Sequence, residues 1–234
     1  MGHHHLPTRS HLMSAPRRDL NTPAKRLLII SAGSLGQEIR DLACGIMMHE
    51  PAVAPWQTLG FLDSRPNIHT RGIPLVGSPE TYVPEETDEF VCAIGNPAQR
   101  RRFAEPVRAR NGRFALLVEP SSKVGGFTEL SEGCVIGPFC LVSCNVSIGE
   151  STFLIAHVTV GHDVRIGSHC QISAYSFFGG GATIGDEVTV FPHACILPGV
   201  HVGNGATIGA GSVVTRTVPA GTTVFGNPAR PIAP

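Results

Sequence analysis

His162 and Asp163 are the residues of this chain best suited to moving a proton, and Gly180 and Gly181 follow them at a spacing of 18. A neutral imidazole takes a proton from an attacking amine or hydroxyl. A carboxylate beside it holds the ring in one tautomer. The run Phe178-Gly179-Gly180-Gly181 offers nearly bare backbone, whose N–H groups donate to the oxyanion of a tetrahedral intermediate. These are the parts of acyl transfer, provided that the fold stacks residues 18 apart. The plainer reading is that His162 is an exposed turn residue and that the glycines only serve turns. A second file at the same spacing, His157, Tyr175 and His193, reads as a metal or proton-relay column or as a polar ladder along an edge. For His169 and His201 no partner is legible.

The stacking rests on a repeat. From residue 124 to 214 every sixth residue is large and apolar, without a skip: Val124, Leu130, Ile136, Val142, Ile148, Leu154, Val160 and onward to Ile208 and Val214. Four residues after each stands a small or compact one, such as Thr128, Cys134, Cys140, Cys170, Ser176 and Ala182. A glycine often follows the large residue directly, as at Gly125, Gly137, Gly161 and Gly179. This is the hexapeptide repeat of a parallel β-helix. Three hexapeptides close one triangular coil, in which the large and small residues point inward and stack on their copies. The glycines are expected to give the turns backbone freedom. None of the five histidines in this region falls on an inward position.

The rest of the chain divides around this coil. Residues 1–24 read as a tail; Met1-Gly2-His3-His4-His5 has the look of an expression-tag remnant. Residues 25–118 read as a small Rossmann-like domain. Leu27-Leu28-Ile29-Ile30 is a short apolar run that fits a buried parallel strand. It enters Ser31-Ala32-Gly33-Ser34-Leu35-Gly36, and a helical pattern follows through Ile39, Leu42, Ala43, Ile46 and Met47. Strand, glycine turn and helix present backbone N–H groups to an anion. A second strand at residues 59–62 ends in Asp63, a position that often meets a ribose or base and otherwise serves a turn. Residues 90–94 form a third strand, closed by Gly95-Asn96-Pro97, and a helix is expected over residues 98–110. Its Arg100, Arg101 and Arg102 face either phosphate or, more simply, water. Residues 114–117 form a fourth strand. Residues 119–234 hold the β-helix and a proline- and glycine-rich C-terminal cap.

Composition narrows the function. The 18 basic and 18 acidic residues cancel, and no dense basic run argues for nucleic acid. No apolar run reaches transmembrane length, and no signal-peptide pattern precedes the first strand. Of the seven cysteines, Cys134, Cys140 and Cys170 take small inward positions, which reads as reduced core thiols and a cytoplasmic location. No CxxC pair argues for zinc. The His157 and His162 pair mimics two ligands of the γ-type carbonic anhydrases, but the third position is Ser121, so no metal is expected.

Residues 25–230 resemble the bacterial sialic-acid O-acetyltransferase-type enzymes of the hexapeptide-repeat acyltransferase superfamily. That group includes the N-acetyltransferases acting on nucleotide-linked 4-amino-4,6-dideoxy sugars of the bacillosamine and perosamine type. The matching residues are Ser31-Ala32-Gly33-Ser34-Leu35-Gly36, Gly60-Phe61-Leu62-Asp63, Ala93-Ile94-Gly95-Asn96, Val160-Gly161-His162-Asp163, Ile208-Gly209-Ala210-Gly211 and Gly226-Asn227-Pro228-Ala229. The resemblance implies a left-handed coil. It implies His162 as general base with Asp163 beside it, and acetyl-CoA against Gly180 and Ala210 between the β-helices of a homotrimer. It implies a sugar nucleotide held by Gly33, Ser34, Gly36, Asp63 and Asn96. The expected activity is N-acetylation of an amino sugar linked to GDP or UDP. O-acetylation of a sugar or sialic acid is the alternative, and a trimeric scaffold is the non-enzymatic one. The chain departs from the pattern in three places. Gln171 stands where several relatives place a second histidine near the cofactor, Glu119-Pro120 replaces His-Pro, and residues 48–58 are long.

Overall fold

The computed structural model describes residues 25–49 and 56–232. The expected tail and most of the long segment after Met48 lie outside them.

The N-terminal part is a parallel sheet with helices packed on it. Strand β1 (Lys25–Ile30) runs into α1 (Ser34–His49), and β2 (Trp56–Leu62), β3 (Leu75–Gly77), β4 (Asp88–Cys92), α2 (Pro97–Arg108) and β5 (Arg113–Phe114) follow. The strand order is β3-β2-β1-β4-β5 with all pairs parallel, a Rossmann-like arrangement in which β1 is central. Ile39, Ala43 and Ile46, spaced by a helical turn, are the side chains α1 buries. Strand β4 starts two residues before the apolar run because its polar start is paired. Asp88 accepts from Arg26 Nε at 2.9 Å and from Tyr82 Oη at 2.7 Å, and Glu89 accepts from Trp56 Nε1 at 2.7 Å. That last bond also draws β2 back to Trp56.

The stretch expected as a fourth strand splits between two sheets. Arg113–Phe114 completes the edge of the α/β sheet, and Leu117–Val118 pairs with Val135–Ile136 to open the coil. The sixfold register therefore begins one step before Val124, at Val118. From there the chain winds a left-handed parallel β-helix with three faces. Face 1 has eight strands, from Leu117–Val118 to the closing pair Thr223–Phe225 and Arg230–Pro231. Face 2 has six, from Lys123–Val124 to Val213–Val214, and face 3 has five, from Glu129–Leu130 to His201–Val202. On face 2 the pairing Leu141, Thr159, Phe177, Cys195, Val213 advances by 18 at every step, as the repeat requires. Ile136, Leu154, Ile172, Phe178, Val190 and Ile208, with the small residues between them, form one buried column. Each large side chain in it contributes about 1.5–3 kcal/mol of burial. Cys134, Cys140 and Cys170 lie in that column as free thiols, and burial pushes Cys134 up to about 11 and Cys170 to about 12.

The glycines after the large residues have a different task from the one expected. The left-handed backbone falls two positions later, at Asn145 (φ 57°), His157 (53°), Asp163 (60°), Tyr175 (62°) and Gly181 (69°). The glycines are needed for close approach to the next coil. A Cβ at Gly161 would stand 2.8 Å from the Gly180 nitrogen, and one at Gly137 would overlap the Ile155 carbonyl oxygen.

The α/β domain sits on face 1. Leu117, Val135 and Phe153 of that face share a buried cluster with Leu27, Ile29, Ile39 and Phe61. The corner between faces 2 and 3 is the one that does not border face 1.

Candidate functional site

His162 occupies that far corner, just after the strand Thr159–Val160 of face 2. The register places it over Gly180 of the next coil: a Cβ on Gly180 would lie 2.7 Å from Nε2 of the imidazole. Nδ1 is 2.6 Å from Asp163 Oδ2. With Nδ1–H donating to that carboxylate, Nε2 is left with a free lone pair beside bare backbone, the state a general base requires. The hydrogen bond with His162, and after it one from the Asn145 amide, holds the Asp163 carboxyl below its ordinary value. Asn145 was not singled out from the sequence, although it stands 18 before Asp163 and belongs to the same file. The Gly180 N–H has no acceptor among the described residues. The same holds at the equivalent place in other coils, so the adjacent imidazole is what distinguishes this one. The His162 side chain keeps 67% of its surface, so within a single copy the base stands in water.

The second site is in the α/β domain. A cavity of about 500 Å³ opens at the carboxyl ends of β1, β2 and β4, lined by Gly33, Ser34, Asp63, Arg65, Ile94 and Phe103 among others. A neighbouring one of about 480 Å³ shares Gly33 and Ser34 and adds Gln37, His69 and Arg71. The residue with positive φ in the turn is Ser31 (79°), with Gly33 N–H donating back to its hydroxyl at 3.3 Å. Asp63 is fully engaged. It accepts from Ala32 N–H at 2.9 Å and from Arg65 Nε at 2.9 Å and Nη2 at 2.8 Å. Burial works to raise its pKa, but these hydrogen bonds outweigh it and leave the carboxyl below its usual value. The exposed Arg65 at the mouth carries no signal of its own in the sequence. Of the other expected contacts, Gly36 is a packing residue, since a Cβ there would overlap the Ser31 carbonyl oxygen. Asn96 caps α2, accepting from Gln99 N–H at 3.0 Å.

The remaining candidates go elsewhere. Ala210 is exposed at the corner between faces 1 and 2, at the opposite edge of face 2 from His162. His157, Tyr175 and His193 stack ring on ring at 4.7 and 5.0 Å, and Phe139 extends the stack at 4.9 Å. They form an exposed aromatic ladder. No group of three His, Cys, Asp or Glu among the described residues is arranged to hold a metal. His169, for which the sequence offered no partner, is buried under the α/β domain with Nε2 3.3 Å from Glu150 Oε1. Arg100, expected on a solvated helix face, is fully buried. Its guanidinium lies 3.9 Å over the Phe153 ring and donates to Gln171. So Gln171 faces the domain interface. Arg101 pairs with Glu187 at 2.8 Å. No helix among the described residues is long and apolar enough to cross a membrane.

Comparison with known proteins matches residues 26–107 to the PglD N-terminal domain and residues 145–180 and 181–216 to the bacterial transferase hexapeptide family. A GDP-perosamine N-acetyltransferase of Escherichia coli is 35% identical over 80 residues, 34% of this chain and 36% of that protein. An acyl-[acyl-carrier-protein]–UDP-N-acetylglucosamine O-acyltransferase of a Psychrobacter species is 39% identical over 59 residues, 25% of this chain and 23% of that protein. The chain thus spans about a third or less of the length of these curated relatives. Among solved structures, the acetyltransferase domain of PglB from Neisseria gonorrhoeae superposes with a TM-score of 0.82 at 27% identity, covering 89% of this chain and all of that one. PerB from Caulobacter crescentus, solved with CoA and GDP-perosamine, shares the fold with a TM-score of 0.76 at 24% identity, over 88% of this chain and 97% of that one.

Proposed function

We propose that this chain, which matches the PglD N-terminal domain and the bacterial transferase hexapeptide family, is an acetyl-CoA-dependent N-acetyltransferase acting on a nucleotide-linked 4-amino-4,6-dideoxy sugar. The observation that carries this reading is the imidazole with Nδ1 on Asp163 and Nε2 over Gly180. The neutral sugar amine attacks the thioester carbonyl, and Nε2 of His162 takes the proton the nitrogen sheds. A backbone N–H at residue 180 meets the oxyanion. As the tetrahedral intermediate collapses, the C–S bond breaks and the imidazolium returns its proton to the leaving thiolate. The products are the acetamido sugar and free CoA.

The nucleotide takes the larger α/β cavity, with Asp63 and Arg65 at its mouth and Gly33 and Ser34 at the start of α1. The similar PglB domain has been solved with acetyl-CoA and PerB with CoA and GDP-perosamine, which supports both ligand classes. The α/β domain rides on face 1 and His162 projects from the corner across the coil, so the nucleotide and the base of one copy point apart. A homotrimer answers this by bringing one copy's imidazole to the nucleotide of the next, with acetyl-CoA between the coils. The exposed Phe139, Leu141, Tyr175 and Phe177 on and beside face 2 supply apolar surface for that contact. Free thiols in the core fit a reducing, cytoplasmic setting.

The test is thiol release from acetyl-CoA against GDP- and UDP-linked 4-amino and 4-hydroxy sugars. One amino sugar turning over is the expected result. Turnover of the hydroxy sugars alone would make the protein an O-acetyltransferase. Silence with no acetyl-CoA binding would leave a scaffold.

A further inference from the structure

Arg100 is a cation buried without a carboxylate partner among the described residues. Burial lowers its pKa to about 10, so it stays charged at neutral pH. All its bonds go to carbonyl oxygens and one amide. Nε donates to the Ile94 carbonyl at 2.8 Å, and Nη2 lies 3.5 Å from that of Gly95. Both residues wall the nucleotide cavity. Nη1 donates to the carbonyls of Ser151 at 2.8 Å and Cys170 at 3.1 Å, and Nη2 also reaches the Gln171 side chain. Ser151 and Cys170 bracket one coil, and His162 lies in that coil at its far corner. One side chain therefore joins the wall of the pocket to both edges of the coil that carries the base.

The need for such a link follows from the repeat. Face 1 looks alike at every step, because its strands recur each coil, about 4.8 Å apart. Apolar contacts to Phe153 and Val135 hold the α/β domain on that face but distinguish one height from the next poorly. A guanidinium that must find several fixed carbonyls accepts one height only, since a buried polar network is costly when partly satisfied. A rotation axis parallel to the coil preserves height, so the pocket's level against its own His162 is also its level against a neighbour's.

We infer that Arg100 is a positioning residue that fixes the height of the nucleotide pocket relative to the coil bearing His162. This rests on the proposed transfer reaction. A misplacement of about 1 Å costs on the order of 100-fold in rate when reacting groups must be aligned.

The experiment compares Arg100→Lys and Gln171→Leu with the parent as full-length proteins. Nucleoside diphosphate and acetyl-CoA binding are measured by calorimetry, and kcat and both KM values by thiol release. For Arg100→Lys both ligands are expected to bind within about 3-fold of the parent while kcat falls about 10- to 100-fold. Gln171→Leu is expected to lose about 3-fold in kcat. A merely structural residue would lower the melting temperature and leave kcat intact well below it. Unchanged kcat in folded Arg100→Lys overturns the inference, as does a loss carried wholly by nucleotide binding. If Arg100→Lys does not fold, Gln171→Leu decides: unchanged kcat overturns the inference. If the parent turns over no sugar nucleotide, the proposed reaction fails and hydrogen exchange decides this point alone. Arg100→Lys should then speed exchange at residues 94–96 and 151–171 together, and faster exchange at one segment or neither refutes the link.

Discussion

The larger α/β cavity draws its walls from five separate segments of that domain, around residues 30–35, 62–65, 79, 93–95 and 99–103. The imidazole corner draws Asn145, His162, Asp163 and Gly180 from two adjoining files of one repeat. In the cavity the same groups bind and build: Asp63 holds the Ala32 N–H and Arg65 as well as facing the opening. At the corner the chemistry stands clear of the core, whose inward residues are other side chains entirely. Substitutions at the corner should therefore remove chemistry and leave the fold, whereas substitutions in the cavity should disturb both.

The sharpest separation is expected from His162→Ala. It should lower kcat by about 100-fold or more with assembly and melting temperature unchanged. Near-parental turnover would break the contrast at its root. Gly180→Ala comes next. The added methyl would sit 2.7 Å from Nε2, so the ring must swing off its position while the exposed corner absorbs the change. A fall in kcat of about 10- to 100-fold at unchanged melting temperature is expected. A loss in stability instead would mean that residue 180 serves the coil more than the site.

How much of this was legible in the sequence follows the same division. In the coil, position in the chain is position in space, modulo 18, so placing His162 against Gly180 needed only counting. Asn145 was available by the same count. In the α/β domain no such rule exists. The glycine turn and Asp63 could be named from strand and turn chemistry, but Arg65, His69 and Arg71 come from a loop whose course no periodicity encodes. Arg100 reads as solvated because it belongs to a basic triplet on a polar helix, yet it is buried. Its acceptors are backbone carbonyls 51 and 70 residues away, and carbonyls leave no mark in a sequence. The task of the repeat glycines is hidden in the sequence because period alone does not separate a residue that bends the chain from one that lets the next coil approach.

Asp63→Ala tests the cavity half and how the halves combine. It should raise the KM for the sugar nucleotide about 10-fold, spare that for acetyl-CoA, and lower the melting temperature, because the Ala32 N–H and Arg65 lose their acceptor. An effect confined to acetyl-CoA would relocate the nucleotide. Co-assembly with His162→Ala sharpens the comparison further. If pocket and base act across copies, mixed assemblies regain activity that neither variant has alone at limiting sugar nucleotide. If both act within one copy, the mixture stays as poor as its parts.

The smallest effect is expected where the two regions meet, at His169. Its ring is buried between Glu150 on the coil and the α2 arginines, with Nδ1 lacking an acceptor among the described residues. Burial lowers its pKa, and Arg108 and Arg100 add to this while Glu150 and Glu187 oppose it. With the folded value below the unfolded one of about 6.5, both states are neutral above pH 7 and the histidine has no net pH-dependent effect there. As pH falls through 6.5 the unfolded chain takes up a proton that the folded chain refuses, so stability declines, by at most about 1.4 kcal/mol per pH unit for one site. Asp63 and Asp163, held low, lose their own contribution only below about pH 4, outside this window. Melting temperature should therefore drop between pH 7 and pH 5 in the parent and drop less in His169→Gln. Equal slopes would place the acid sensitivity elsewhere and leave the interface to its apolar cluster, the Arg101 and Arg108 ion pairs, and Arg100 with its carbonyls.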